Sequence, residues 1–356
     1  MNRRTFVKNC TIAATVASGS FSGLFAATEA GKKRYEIEYK FDLSSHKNKE
    51  AKLWIPLPSD IPSFQKITKI GYVSDGNEAF ISTSNSYGAK TLFVSWDKTA
   101  IKKTVTCKIS AEVSDREASA FGGFFEANDS KRFLSPTAHV PTSGLIAKIS
   151  AKIVKNEKSA VKKARAVYDW VIANSYRDEN IKGCGIGHPG KMLEQLEKSG
   201  KMGGKCLDMS ALTVALMRAA GVAAREVAGV RLGASGLSAA FGSGEDITKA
   251  QHCKVEFFVP KKGWIGCDPA DITKLILKEG LSRDSERVKA LSEKFFGFWE
   301  NNWLALNYAR DFELYPKNNQ GELDQFNYPY GEIDGEFLDF YSPKEFAYSI
   351  SSKAVG

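Results

Sequence analysis

The stretch GGKCLDMS, residues 203–210, decides the fold of the central part of the chain, because it joins a glycine turn to an apolar helix. From Leu207 onward, apolar residues recur at steps of three to four, which is the period of one buried helix face. They are Leu207, Ala211, Leu212, Ala215, Leu216 and Ala219. Gly221 is a typical residue to end such a helix. The sequence therefore predicts a helix with Cys206 at its N-terminus.

A cysteine at a helix N-terminus has the surroundings of a nucleophile. The backbone N–H groups and the helix dipole favour negative charge there, which lowers the pKa of a thiol and exposes a reactive thiolate. The same N–H groups could stabilise an oxyanion. Gly203 and Gly204 let the backbone turn sharply and let a substrate approach closely. Cys206 is therefore the predicted nucleophile.

Such a thiolate needs a base, and His252 is the best candidate among the histidines. His46, His139 and His188 lie in loop-like sequence, whereas His252 opens a strand that a Pro-Lys-Lys-Gly turn joins to a returning strand ending at Asp268. His252 and Asp268 are equidistant from the proline of that turn, so we expect them to be cross-strand neighbours. A carboxylate beside an imidazole fixes its tautomer and stabilises its cation. Together with Cys206 they would form an activated nucleophile.

The same counting places Cys253 opposite Cys267, on the other face of the hairpin. One hypothesis is a cross-strand disulfide between them. The alternative is a pair of buried thiols, since a disulfide needs a particular geometry.

The N-terminus has the layout of an export signal. A basic segment precedes a short apolar run at residues 11–27, and small residues between Ala26 and Ala30 offer a cleavage region. Adjacent arginines followed by Phe and Lys resemble the twin-arginine version of such signals. The alternative is a membrane anchor, which the short and serine-diluted run favours less. We expect a protein that is periplasmic or otherwise exported, with no stable membrane span after signal removal.

Export bears on the cysteines. Of the six, Cys10 would leave with the signal, and five would remain: Cys107, Cys184, Cys206, Cys253 and Cys267. Thiols tend to pair in an oxidising compartment, and an odd number leaves at least one unpaired within the chain. A catalytic Cys206 would be the natural unpaired thiol.

Two kinds of periodicity divide the rest of the chain. Residues 35–43 and 105–113 alternate apolar with polar, and 53–55 and 91–96 are further strand candidates, which together indicate a β-sandwich. We interpret Cys107 as a small hydrophobic residue in the core of this sandwich. Helical periodicity predicts three helices, with Asn156 and Ser159 available to start the second. They are residues 146–154, 160–172 and 192–196.

The motif region resembles the transglutaminase-like superfamily. The residues that carry the resemblance are Gly204-x-Cys206-x-Asp208-x-Ser210-x-Leu212-x-x-Ala215-Leu216-x-Arg218-Ala219-x-Gly221-Val222-x-Ala224-Arg225, then His252 with Glu256, Gly263-Trp264 and Asp268-Pro269. The resemblance covers roughly residues 160–275 and implies a papain-like α+β fold with Cys206 as nucleophile, His252 as base and Asp268 as orienter. Cys253 departs from the pattern, because an aromatic or small residue follows the histidine in many members.

These observations give an expected domain order. It is an export signal at 1–30, a β-sandwich-like domain at 31–122, the transglutaminase-like core at 123–275 and a C-terminal extension packed on the core at 276–356. The extension contains Tyr308-x-Arg310-Asp311-x-x-Leu314-x-Pro316 and Asn327-Tyr328-Pro329-Tyr330-x-Glu332-x-Asp334-Gly335, which resemble a tail of bacterial members.

The expected chemistry is attack on an amide carbonyl, an acyl-enzyme and release to water, as in a peptidase or amidase. An amine-transferring transglutaminase is an alternative, and so is a cell-envelope binding or scaffold protein with a residual triad. The second oxyanion donor stays open, with Tyr168, Trp170 and Tyr176 as candidates.

We expect no cofactor and no metal, since Cys184 and His188 are too few for a zinc site. The formal net charge is +9, but no basic cluster is interleaved with aromatics as in nucleic-acid binders, and the lysines of 148–163 fit a solvated helix face. The expected partner is a peptide or protein substrate of the cell envelope.

Overall fold

The structure is a computed structural model that describes residues 31–118 and 131–355. The proposed export signal at 1–30, including Cys10, lies outside the described residues, as does part of the connector after the β-sandwich. Within the described ranges, no helix combines the length and the apolar character that crossing a membrane requires.

The strands and helices alternate in blocks along the chain. The strands are β1 (Lys32–Asp42), β2 (Ala51–Pro56), β3 (Gln65–Ser74), β4 (Glu78–Ser82), β5 (Thr91–Trp96), β6 (Thr104–Ser114), β7 (Arg116–Glu117), β8 (Ser175–Arg177), β9 (Met202–Gly204), β10 (Ala224–Arg231), β11 (Lys254–Val259), β12 (Gly263–Cys267), β13 (Phe298–Trp299), β14 (Trp303–Asn307), β15 (Arg310–Phe312), β16 (Leu323–Gln325), β17 (Tyr330–Ile333), β18 (Glu336–Phe337) and β19 (Tyr348–Ala354). The helices are α1 (Gly144–Ile153), α2 (Ala160–Asn174), α3 (Pro189–Ser199), α4 (Cys206–Ala219), α5 (Pro269–Glu279) and α6 (Glu286–Phe295), with a 3-10 turn at Ala239–Phe241.

The N-terminal part is a sandwich of two sheets, as the alternation predicts. One sheet has the order β19-β1-β6-β3 and the other β18-β17-β2-β5-β4. Their inward side chains share one apolar cluster, which includes Ile37 of β1, Leu53 of β2 and Cys107 of β6. Cys107 is fully buried in that core. Strands β3 and β4 were not predicted, because their residues, apart from the buried Gln65, are exposed or only partly buried and lack a clear alternation.

The C-terminal extension contributes to both halves of the molecule. Strand β19 pairs with β1, with Ile350 opposite Tyr39, and β17 pairs with β2, with Tyr330 opposite Trp54. Strand β14 pairs instead with β10 in the central sheet. The segment expected to pack on the core therefore also completes the N-terminal sandwich.

The central sheet, in the order β12-β11-β10-β14, supports the motif helix. Helix α4 is buried along nearly its whole length and packs against β10 and β11. It begins at Cys206, and Gly221 follows its end with a positive φ of 77°, both as predicted. Ser159 caps α2, because its hydroxyl accepts from the Lys162 N–H.

The hairpin register differs from the prediction by two residues. Cys267 lies opposite Val255 rather than Cys253, and Val259 pairs with Gly263, so the turn is centred on Lys261. Lys261 and Gly263 both take left-handed backbone conformations, which counting alone does not reveal. A shift of two keeps each side chain on its expected face. The disulfide hypothesis is nevertheless wrong, because Cys253 and Cys267 are free buried thiols.

Candidate active site

Cys206 lies at the first position of α4 and is almost fully buried. The turn before it is held by Asp208, whose carboxylate accepts a hydrogen bond from the Lys205 N–H at 3.0 Å. Lys205 itself is the extended N-cap residue. The Leu207 N–H of the first turn donates to the Cys184 carbonyl oxygen at 2.9 Å, and the helix dipole favours negative charge beside the thiol, as expected from the glycine turn.

A glycine-rich loop at 183–187 packs against the same turn. Asp208 Oδ1 also accepts from the Ile186 and Gly187 N–H groups, each at 2.9 Å. Gly185 has a φ of +93°, and a Cβ there would lie 1.9 Å from Asp208 Oδ2. Glycine is therefore required at position 185, because both the backbone conformation and the space exclude a side chain. Asp208 thus anchors this loop.

His252 and Asp268 meet as predicted, although outside the strand pairing itself. His252 Nε2 lies 2.7 Å from Asp268 Oδ2, and both side chains are buried. The His252 backbone is fixed by its N–H to Gly229 O and by Trp303 Nε1 to its carbonyl oxygen. Asp268 is the N-cap of α5, and its Oδ1 accepts from the Asp271 N–H. Since Nε2 is engaged by Asp268, Nδ1 is the nitrogen left for Cys206.

A buried lysine joins this pair. Lys254 Nζ lies 2.7 Å from the same Oδ2 of Asp268, and it lies 5.5 Å from the centre of the Trp303 ring. Burial alone would raise the pKa of the Asp268 carboxyl, but the Lys254 and His252 charges and hydrogen bonds hold it well below its usual range. The sequence analysis missed Lys254. The signal was a lysine two residues after His252, hence on the same strand face, in an apolar strand.

Three thiols converge at the nucleophile. The Sγ atoms of Cys184, Cys206 and Cys253 all lie within 4.8 Å of one another. Hydrogen bonds from the Cys184 and Cys253 thiols, and the adjacent His252, hold the pKa of Cys206 well below its usual range despite burial. The pKa values of the other two thiols are raised, first by their hydrogen bonds with the neighbouring thiols, so Cys206 is the most acidic of the three.

The C-terminal tail supplies two more polar groups. Asn327 Nδ2 donates to Cys253 Sγ at 3.2 Å, and the Tyr328 hydroxyl donates to Cys184 Sγ at 3.2 Å. The sequence analysis noted this Asn-Tyr pair only as part of a family tail. Its place beside the thiols could not be read from one chain, because it depends on contacts between distant segments.

Two sets of described side chains could hold a metal ion, because their ligand atoms lie within 4.8 Å of one another. One is the set of three thiols, and the other is His252 with Asp268 and Asp271. The pair considered from sequence does not form a site. Cys184 belongs to the thiol set, whereas His188 caps α3 by accepting from the Lys191 N–H.

The remaining predicted residues lie elsewhere. His139 pairs with Asp311 away from Cys206. Among the oxyanion candidates, the Tyr168 hydroxyl donates to Ser292 O. Trp170 packs on the apolar core, and Tyr176 lies against Gly203. None of the three lines the cleft described below, so the structure does not support them as donors.

Cys206 and His252 line a cleft of about 960 Å³. The C-terminal extension forms part of its wall through Tyr328, Phe340 and Tyr341. Its described charged side chains are Arg177, Lys182, Lys205, Arg231, Lys249, Lys274, Lys344 and a single acid, Asp246. An activated thiol beside a histidine–carboxylate pair, at the wall of a cleft, is the arrangement of cysteine-dependent acyl-transfer enzymes.

Comparisons with known proteins agree with this class. The model of the transglutaminase-like superfamily matches residues 147–269. An uncharacterized protein of Haemophilus influenzae is 35% identical over 342 residues, covering 90% of this chain and 91% of the relative. The chain belongs to the transglutaminase-like superfamily.

Solved structures support the fold. The structure named "Putative Cysteine Protease" from Cytophaga hutchinsonii is 15% identical, with a TM-score of 0.50, and the match covers 91% of this chain and 99% of that one. At this identity the likeness shows a common fold alone. The common fold extends beyond the transglutaminase-like core, because the matched part includes nearly all of both chains.

Proposed function

We propose that this chain is a cysteine-dependent amide hydrolase, a peptidase or amidase, with Cys206 as nucleophile, His252 as base and Asp268 as orienter. The observation that carries the proposal is the buried His252–Asp268 hydrogen bond beside a thiol whose pKa is lowered, at the wall of a cleft. Activation of a thiol in this way is the requirement for nucleophilic catalysis.

The proposed reaction has two halves. His252 takes the Cys206 proton, and the thiolate attacks the carbonyl carbon of a substrate amide. The Cys206 N–H at the start of α4 stabilises the oxyanion, and His252 gives the proton to the departing amine. In the second half, His252 takes a proton from water, and the hydroxide attacks the thioester. The carboxylic acid leaves, and the thiol is restored.

Asp268 and Lys254 set the state of the base in this scheme. Because Lys254 and His252 both contact Oδ2, Asp268 stays ionised and holds the imidazole through Nε2. That leaves Nδ1 for proton exchange with Cys206, as a catalytic histidine requires.

We propose that the protein is exported by the signal at residues 1–30 and acts on a peptide or protein of the cell envelope. The basic segment and apolar run of the N-terminus support this proposal. Fractionation of cells that produce the full chain, with and without an Arg3→Lys, Arg4→Lys change, tests it. Retention of wild type inside the cytoplasm would contradict it.

Mass spectrometry of peptide and cell-wall digests tests the reaction. Wild type should release products that gain one water, and Cys206→Ala and His252→Ala should each lose about a thousandfold or more in rate. Cys107→Ala is the matched control, because Cys107 lies in the sandwich core. Products carrying an added amine would indicate transferase chemistry. Equal turnover by Cys206→Ala and wild type would overturn the proposal and favour a binding protein.

A further inference from the structure

The cleft beside Cys206 carries an unbalanced positive charge. Of its described lining residues, seven are lysine or arginine and one is aspartate. Arg231 is neutralised by Asp271 and Lys182 by Asp339. The other five cations have no described carboxylate within 4.0 Å. A wall of this kind concentrates anions in a cleft.

Three of these cations form a group around the nucleophile, which we call the cationic triplet: Arg177, Lys205 and Lys274. All three line the same cleft as Cys206. Burial and then the charges of neighbouring arginines, Arg177 among them, lower the pKa of both lysines, whereas the Cys206 charge acts in the opposite direction. The triplet is therefore close enough for mutual repulsion and close enough to feel the thiolate. The Glu179 and Asp271 charges offset part of this repulsion, but no carboxylate of the described residues lies within 4.0 Å of the triplet, so a bound anion would stabilise it.

Lys274 shows this most clearly. It projects from α5 and is half buried. Its pKa is lowered to about 8, first by burial and then by the charges of Arg231 and Arg177, while Asp271 and Cys206 act in the opposite direction. A bound anion would offset the free-energy cost of keeping the half-buried Lys274 side chain charged.

We infer that the cationic triplet is a subsite for a carboxylate, so that the substrate is an acidic peptide with a carboxylate close to the scissile amide. This inference rests on the proposed function and narrows its substrate. The carboxylate comes either from an Asp or Glu side chain or from a free chain terminus. Both offer the same planar anion, which arginine binds in bidentate fashion and lysine as a point charge.

Alkylation of Cys206 tests the subsite without any substrate. Iodoacetate and iodoacetamide carry the same leaving group, but only iodoacetate is an anion. We expect their rate ratio at Cys206 to exceed the ratio for a free small thiol by about tenfold or more, and to fall towards it in about 0.5 M salt. Lys274→Gln should reduce the ratio severalfold. Lys148→Gln, a change at an exposed lysine of α1 that does not line the cleft, should leave it unchanged.

The outcomes separate the two proposals. If Cys206 reacts rapidly with both reagents and the ratio equals that of the free thiol, the subsite is wrong while the proposed function stands. If Cys206 reacts slowly with both, and His252→Ala changes nothing, the proposed function fails and the inference fails with it. A ratio that Lys274→Gln leaves unchanged also overturns the role of the triplet.

Matched peptides then identify the source of the carboxylate. Cleavage of a Glu peptide should exceed that of its Gln counterpart if a side chain is bound. Cleavage of a peptide with a free C-terminus should exceed that of the same peptide with an amidated C-terminus if the terminus is bound. Lys274→Gln should narrow whichever preference appears, chiefly through KM, because the triplet binds rather than reacts. Equal cleavage within both pairs would overturn the inference.

Discussion

Asp268 has two partners on one oxygen, and replacing it with asparagine should separate its two roles. The variant keeps an acceptor at Oδ1 for the Asp271 N–H, so the cap of α5 should survive. It loses the negative charge that both His252 and Lys254 contact at 2.7 Å. We therefore expect a loss of stability through Lys254 and a separate loss of activity through His252.

The size of the stability loss can be bounded. Removing one member of a buried ion pair costs about 3–5 kcal/mol. Asp271 Oδ2, at 3.8 Å from Lys254 Nζ, retains part of the attraction. We expect Asp268→Asn to lower the free energy of unfolding by about 3 kcal/mol.

The double variant Asp268→Asn, Lys254→Met distinguishes the roles. Methionine fills the apolar surroundings of Lys254, beside Trp303, without a charge to compensate. We expect stability to return towards wild type, while the hydrolysis rate stays lower by about 10⁴-fold because the imidazole has lost its orienter. Urea unfolding and substrate turnover on wild type, both single variants and the double variant measure this. A double variant no more stable than Asp268→Asn, or one that regains activity, would refute the reasoning.

Three further predictions concern single sites. The pH profile of iodoacetamide labelling should show that the Cys206 thiolate forms well below the usual thiol range. Cys253→Ala should move that profile to higher pH, because it removes a hydrogen bond to the thiolate. An unmoved profile would contradict this. The ratio of the iodoacetate rate to the iodoacetamide rate should fall as pH rises through about 8, since Lys274 loses its charge there. Lys274→Gln should remove that pH dependence. A fall that persists in the variant would point to another group. Gly185→Ala should lower the midpoint of thermal unfolding more than Gly88→Ala does. Both glycines have positive φ, but only position 185 lacks room for a Cβ. Equal shifts would show that space is not the cause.

Local patterns were enough to predict the helix that begins at Cys206. The glycine turn and the apolar period around Cys206 act over a few residues, so their outcome could be read directly. His252 and Asp268 also belong to one hairpin. Their meeting was predicted although the register was off by two, because a shift of two preserves the face of each side chain.

The surroundings of the site could not be predicted in the same way. Cys184, Asn327 and Tyr328 reach the thiol from segments far apart in the chain. Lys254 is local, but its partner depends on where α5 begins. The charge of the cleft is likewise shared among segments whose assembly no single pattern specifies.

The pairing of β19 with β1 has a consequence for the order in which the protein is made. Tyr35 pairs with Ala354, so an outer edge of the first sheet waits for almost the whole chain to be synthesised. Pairing across so long a separation is slow, because loop closure must precede the gain from contacts. Until then β1 is an open edge, which other chains could join. Pairing of β19 with β1 is thus a late step of folding that covers this open edge. A nascent chain without β19 would be the form most in need of a chaperone.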